Sequence, residues 1–182
     1  MVSLRDTTED DFKAITALYA REVREGTATF ELDPPSQIEI THRFATVKGY
    51  GLPWITAEVD GAFAGYAYLS PFRMRAAYRY AVENSVYVLP EMQGRGVGRA
   101  LLNAVVGEAR ALGLRHVVGA ISDSETSAAS IGLHRTLGFR DAGVWKSVGW
   151  KFDRWLDVTL MQLDLAPNDA PPTAEGLDLR GS

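Results

Sequence analysis

The ten residues Gln93 to Leu102, Gln-Gly-Arg-Gly-Val-Gly-Arg-Ala-Leu-Leu, constrain this chain more than any other stretch. Before them runs Glu83-Asn84-Ser85-Val86-Tyr87-Val88, which reads as a strand. After them, apolar residues recur at Leu101, Val105, Ala109 and Leu112, at helical spacing. Three glycines therefore join a strand to a helix N-terminus. Glycine lets the backbone turn tightly and approach a ligand. The first amides of a helix have no partner within it and lie at the positive end of its dipole, so the junction is a phosphate cradle. A dinucleotide fingerprint would need a third glycine three residues after the second, where Arg99 stands. A P-loop would need Lys and Ser or Thr after its last glycine, where Arg99 and Ala100 follow Gly98. Both fail on the residues.

Size allows one domain with a proper core: 182 residues, 46% apolar and 23% charged. A net charge of -4 gives no global basic field to invite nucleic acid, although Arg95 and Arg99 form a local cation pair. The absence of cysteine excludes disulfides, thiolate metal sites and a cysteine nucleophile, and fits a reducing compartment. His42, His116 and His134 lack metal-motif spacing, so no metal is expected. With no signal peptide and no apolar run of membrane-spanning length, the expectation is a soluble cytoplasmic protein.

In chain order, Val2–Arg5 alternates like a strand, and Thr8 with Asp11 resembles a capping box. The helix that follows carries Phe12, Ile15, Leu18, Tyr19 and Val23 on one face, and Arg24 to Phe30 breaks its pattern. A second helix is expected from Ser36 to about Lys48. Pro53–Val59 and Ala62–Leu69 read as strands joined at Asp60-Gly61, a two-residue hairpin signal. Ser70–Tyr80 is an irregular link and Val82–Val88 a central strand. Gly113 caps the glycine-loop helix. His116–Ile121 is a strand, and Ser127–Leu137 a helix stopped by Gly138. Phe139–Val144 and Val158–Leu165 are the last strands. The fold class is mixed α/β, a mostly antiparallel sheet flanked by helices, in one domain over 1–166. The Pro-, Asp- and Gly-rich stretch 167–182 predicts a disordered tail.

Gln93-Gly94-Arg95-Gly96-Val97-Gly98 resembles the pyrophosphate loop Arg/Gln-x-x-Gly-x-Gly/Ala of the GNAT superfamily of N-acetyltransferases. Ser127 to Phe139 is similar to the family's later motif Asn-x-x-Ser-x-x-Leu-His-x-x-x-Gly-Phe, with Ser127 where the family has Asn. A serine offers one short hydroxyl in place of an amide donor and acceptor. Thr27-Ala28-Thr29-Phe30, Pro71 to Tyr87 and Gly149 to Asp157 extend the resemblance, over Leu4 to Leu165, to the phosphinothricin acetyltransferase group. That group acetylates the amino group of phosphinothricin, methionine sulfoximine and methionine sulfone.

The resemblance implies acetyl-CoA as cosubstrate, held by the main chain of Val86, Tyr87 and Val88, by Gln93, Gly94, Arg95, Gly96, Val97, Gly98 and Arg99, and by Ser127 and Ser130. A protonated amine cannot attack a thioester, so a base is needed, and Glu83 matches the family's glutamate. His134 matches a position given a role beside it; the plain alternative is a helix-surface histidine that packs or caps. Tyr87 could help shuttle a proton, but an aromatic inside a strand is more often core. Phe30, Arg73, Arg75 and Tyr78 match substrate-contacting positions, and arginine's planar fork suits carboxylate and phosphinate oxygens. Two arginines two apart need an irregular backbone to meet one ligand. Trp145, Trp150 and Trp155 read as core for at least one of them, and otherwise as interface, since members of the group are homodimers. Two alternatives stay open: a GNAT enzyme for another amine (a polyamine, an aminoglycoside or a protein N-terminus) and a coenzyme-A-binding module without catalysis. No nucleic acid or membrane partner is expected.

Overall fold

Caps and turns written in the sequence set the early elements. A computed structural model describes residues 1–123, 127–166, 171–172 and 174–179. Strand β1 (Val2–Asp6) leads into a capping box in which the Thr8 N–H donates to Asp11 Oδ2 at 2.9 Å. Helix α1 (Phe12–Glu25) buries the whole predicted face, Phe12, Ile15, Leu18, Tyr19 and Val23. Helix α2 (Gln37–Gly49) starts where the Ser36 hydroxyl accepts from the Glu39 N–H at 3.2 Å. Strands β2 (Trp54–Val59) and β3 (Ala62–Pro71) turn at Asp60 and Gly61, both with positive φ, as a two-residue hairpin demands. Then come β4 (Ala81–Val88), α3 (Val97–Ala111), β5 (His116–Ser122), α4 (Ala128–Thr136), β6 (Arg140–Lys151) and β7 (Arg154–Asp164).

These strands form one sheet of order β1-β2-β3-β4-β5-β7-β6. Every neighbouring pair is antiparallel except β4 with β5. That parallel contact is short: Ala81, Val82 and Glu83 pair with His116, Val117 and Val118, and no further. Beyond it β4 stays paired with β3 as far as Val88, and β5 stays paired with β7 as far as Ser122. The sheet thus forks after Glu83 and Val118. Helix α3 packs across β1 to β4, and α1 and α2 pack on each other and on the central strands. Leu101, Leu102, Val105 and Ala109 of α3 are fully buried, while Leu112, expected on the same face, is 39% exposed beyond the helix end.

Three expectations change. The last strands are far longer than Phe139–Val144 and Val158–Leu165: β6 and β7 form a long hairpin that turns at Phe152 and Asp153, both at positive φ. Neither residue is glycine or asparagine, so the usual turn signal was missing. Second, none of Trp145, Trp150 and Trp155 is core; they are 45%, 52% and 59% exposed, and Trp54 is the buried tryptophan. Strand β6 is the edge of the sheet and is exposed over most of its length, and Trp155 stands at the start of β7 beside the hairpin turn. Third, the described part of the tail is not loose. Leu177 and Leu179 are buried in the main core, and the Leu177 N–H donates to the Arg79 carbonyl at 2.9 Å. In extended chain, residues two apart share a face, so two leucines dock a segment whose average composition is polar.

Candidate active site

Where β4 and β5 part lies a cavity of about 570 Å³. Its walls combine β4 residues Glu83 to Tyr87, β5 residues Gly119 to Ser122, Ser127, Ser130 and His134 from α4 and its start, Ala28 to Phe30 after α1, and Trp145 and Val148 of β6. Glu83 is half-buried at the apex of the fork, paired with Ser70 on one side and Val118 on the other. Burial raises its pKa above the ordinary carboxylate value, because the charged form loses solvation there. A carboxylate so raised is a better proton acceptor near neutral pH.

Beyond Glu83, the main chain of Val86, Tyr87 and Val88 has no β5 partner. Tyr87 itself is 8% exposed and stacks on Tyr66 at 5.2 Å, with the Tyr19 ring edge-on at 5.3 Å. Burial pushes its hydroxyl pKa well above the usual value, so the side chain packs in the core with its phenol protonated.

His134 is 4% exposed, not on the helix surface. Its Nδ1 faces the Ser130 carbonyl at 2.8 Å, and a carbonyl only accepts, so Nδ1 carries the proton. Its Nε2 faces Asn84 Oδ1 at 3.2 Å, and Asn84 Nδ2 donates to the Val118 carbonyl at 2.9 Å. Burial lowers the His134 pKa, against the Ser130 contact that raises it. A proton captured at Nε2 would find an acceptor waiting in Asn84. Sequence reasoning passed over Asn84, and also Gly119: a Cβ there would lie 3.0 Å from the His134 ring, tight enough that the imidazole would have to give way.

The glycine loop follows β4 and leads into α3. Gly94 and Gly96 have φ of 72° and 85°, and Gly96 is the left-handed residue at the start of α3. Neither would meet an atom within 4 Å if given a Cβ, so they serve backbone conformation rather than close packing. Gly98 sits where a Cβ would touch Leu133 of α4 and Val88 of β4 at 3.5 and 3.6 Å, which gathers loop, strand and helix at one point. Gln93, Arg95 and Arg99 are exposed. Val97, expected at the coenzyme, points its side chain into the core at 1% exposure and leaves only its main chain for that purpose. Ser127 and Ser130 line the cavity. The Ser127 hydroxyl donates to the Ser122 carbonyl at 2.7 Å, which leaves it as an acceptor toward a ligand.

Of the four acceptor-side residues, the structure brings Phe30 to the cavity. Arg73, Arg75 and Tyr78 lie on the exposed 72–80 connection, outside the cavity lining. Arg73 rests over the Phe72 ring at 5.3 Å, and Phe72 meets Tyr78 edge-on at 5.8 Å. The connection is irregular, with a single 3-10 turn at Ala76–Tyr78, and leaves β3 one register step past the Ser70–Glu83 pair. Among the described residues no group of three His, Asp or Glu is placed to hold a metal ion, and no helix is long and apolar enough to cross a membrane.

A forked sheet, a half-buried carboxylate at its apex and a glycine-rich turn into the next helix are the features that the chain shares with its relatives' family. The sequence model of the acetyltransferase (GNAT) family matches residues 12–139, and the chain belongs to that family. Among its relatives, the phosphinothricin N-acetyltransferase of Alcaligenes faecalis is 46% identical over 92% of this chain and 84% of its own. The L-methionine sulfoximine/L-methionine sulfone acetyltransferase of Pseudomonas aeruginosa is 40% identical over 93% of this chain and 98% of its own. A crystal structure of the phosphinothricin acetyltransferase of Sinorhizobium meliloti in complex with AcCoA superposes with a TM-score of 0.90 at 44% identity, covering 94% of this chain and 93% of that one.

Proposed function

We propose that this acetyltransferase moves the acetyl group of acetyl-CoA to the amino group of a small amino-acid-like acceptor of the phosphinothricin, methionine sulfoximine or methionine sulfone type. The observation that carries the reading is the half-buried Glu83 at the apex of the fork, in the lining of the cavity. Acetyl-CoA supplies an activated thioester carbonyl; the chain's residues do the rest. The amides at Gly96 and the start of α3, with Gln93, Arg95 and Arg99 nearby, hold the pyrophosphate. The unpaired main chain of Val86 to Val88 takes the arm of the coenzyme and donates to the carbonyl oxygen as it gains charge. Glu83 takes a proton from the acceptor ammonium, directly or through water, and frees the lone pair that attacks the carbonyl carbon. The carbon–sulfur bond breaks, and the departing thiolate takes up the second nitrogen proton. His134, held between Ser130 and Asn84 on the cavity wall, is a second group for handling protons at the site.

Phe30 forms the acceptor wall, and Arg73 and Arg75 hold acceptor oxyanions from the 72–80 connection, with Tyr78 beside them. Titrating a panel of acceptors and following free-thiol release tests the reading. Methionine sulfone, methionine sulfoximine and phosphinothricin should turn over well ahead of polyamines, aminoglycosides and peptides. Turnover confined to the latter three would refute it.

The working form is a cytoplasmic homodimer. Val144, Trp145, Val148, Trp150, Phe152 and Trp155 expose apolar surface on the β6–β7 hairpin, at the edge of the sheet beside the cavity. Such an edge is a liability unless covered, and aromatic residues are enriched at interfaces.

A further inference from the structure

Strand β6 runs for twelve residues along the surface, and its one buried side chain is a lysine. Lys151 is 3% exposed. Its ammonium donates to the Gly26 carbonyl at 2.8 Å and the Thr29 carbonyl at 2.7 Å, with the Glu22 carbonyl at 3.4 Å. The Phe152 ring lies 5.0 Å from the same nitrogen. A buried ammonium is costly unless its donors are met, and here carbonyls at the negative end of α1 meet them. Burial lowers the Lys151 pKa, opposed by Glu22 and Glu31.

The segment so fastened is the one that brings Ala28, Thr29 and Phe30 to the cavity. It is tied from other sides as well. The Tyr19 hydroxyl bonds Thr29 Oγ1 at 2.9 Å and Glu31 at 2.8 Å, Arg43 holds Glu31 at 2.6 Å, and the Ser122 hydroxyl donates to the Thr27 carbonyl. Phe30 itself rests on Gly149, two residues before the lysine: a Cβ at Gly149 would come within 2.6 Å of the Phe30 ring. So β6 supplies both a slot for the ring and a cation for the loop beneath it.

We propose that Lys151 is a positioning residue for acceptor recognition. Its ammonium fixes the turn after α1 and so holds Phe30, against Gly149, at the depth that selects the acceptor side chain. The inference rests on the reading that this cavity takes the acceptor. It makes specificity a property of the hairpin that ends at Lys151 as well as of the residues that touch substrate. Mispositioning of a wall by about an ångström costs up to roughly 100-fold in productive binding.

A double-mutant cycle tests it, with KM for methionine sulfone and KM for acetyl-CoA measured on wild type, Lys151→Met, Phe30→Ala and the double variant. Lys151→Met should raise the acceptor KM by about 10- to 100-fold and leave that for acetyl-CoA unmoved. In the Phe30→Ala background the same change should cost little, because the wall it positions is gone. Gly149→Ala, which displaces the ring without touching the ammonium, should repeat this coupling and carries the test if Lys151→Met does not fold. An acceptor KM that stays put in a folded Lys151→Met or Gly149→Ala protein overturns the proposal. So does an equal penalty with and without Phe30, which would mark the lysine as a general stabiliser. Wild-type protein that turns over no amino-acid acceptor would overturn the acceptor reading itself; turnover with uncoupled variants overturns this inference alone.

Discussion

The two sides of the cleft are built in opposite ways. The proposed pyrophosphate cradle is local: Gln93 to Arg99 are consecutive, and the proposal rests on backbone amides and two left-handed glycines. The acceptor side is assembled: Phe30 follows α1, Trp145 and Val148 lie on β6, and the lysine that fastens the Phe30 loop lies more than 120 residues away in sequence. Main-chain recognition needs only the right glycines in order, so it survives as a motif. Side-chain recognition needs distant elements to meet, so it can vary without disturbing the fold. Glu83 belongs to neither side. It sits where they join, on the last residue that β4 shares with β5.

That division is open to attack at each part, and the junction should give the largest effect. Glu83→Gln keeps the shape and removes the base, and should lower kcat/KM by about 100- to 10,000-fold with both affinities retained. The pH profile gives the sign. Activity needs the carboxylate, so it should fall as pH drops through the raised Glu83 pKa, on an acid limb above the ordinary carboxylate range. The variant should lose that limb. Full turnover with an unaltered profile would remove Glu83 from the mechanism.

On the acceptor side, Arg75→Ala should raise the acceptor KM by roughly 10- to 150-fold, the equivalent of one charge-assisted hydrogen bond worth about 1.5–3 kcal/mol. Arg75→Lys should restore part of it, since lysine keeps charge without the planar fork. Acetyl-CoA affinity should not respond. If methionine sulfone and the amine lacking its carboxylate suffer equally in wild type and variant, Arg75 is a solvated bystander on its exposed connection.

On the coenzyme side, Gly96→Val places a β-branched residue at φ 85°, a conformation that costs about 1–3 kcal/mol in strain. Acetyl-CoA binding by calorimetry should weaken by roughly 10- to 100-fold, with the melting transition still cooperative and acceptor selectivity kept. Unchanged affinity in a folded protein would sink the cradle assignment.

The mildest change concerns assembly. Light scattering should give about twice 19.9 kDa, and Trp150→Glu, on the exposed hairpin, should shift it toward the single-chain mass without altering acetyl-CoA affinity. A wild-type monomer that turns over at full rate would show that the acceptor side is complete within one chain.

Much of this protein was legible from its sequence because the signals are local. The Thr8–Asp11 box, the Ser36 cap, the Asp60-Gly61 turn and the Gly94/Gly96 loop each satisfy backbone demands within a few residues, and each formed where its residues stand. The amphipathic face of α1 likewise follows from its spacing alone. Tertiary structure decided the rest. Only the sheet order puts β4 and β5 side by side for three residues and then parts them, and that fork leaves Glu83 a partly desolvated carboxylate in a cavity. His134 became a buried ring because Gly119 left it space and Asn84 faced it across the fork. The long β6–β7 hairpin, the three exposed tryptophans and the docked Leu177 and Leu179 escaped prediction for one reason. Burial depends on which surface a residue is brought against, and for these residues that surface lies far away in sequence.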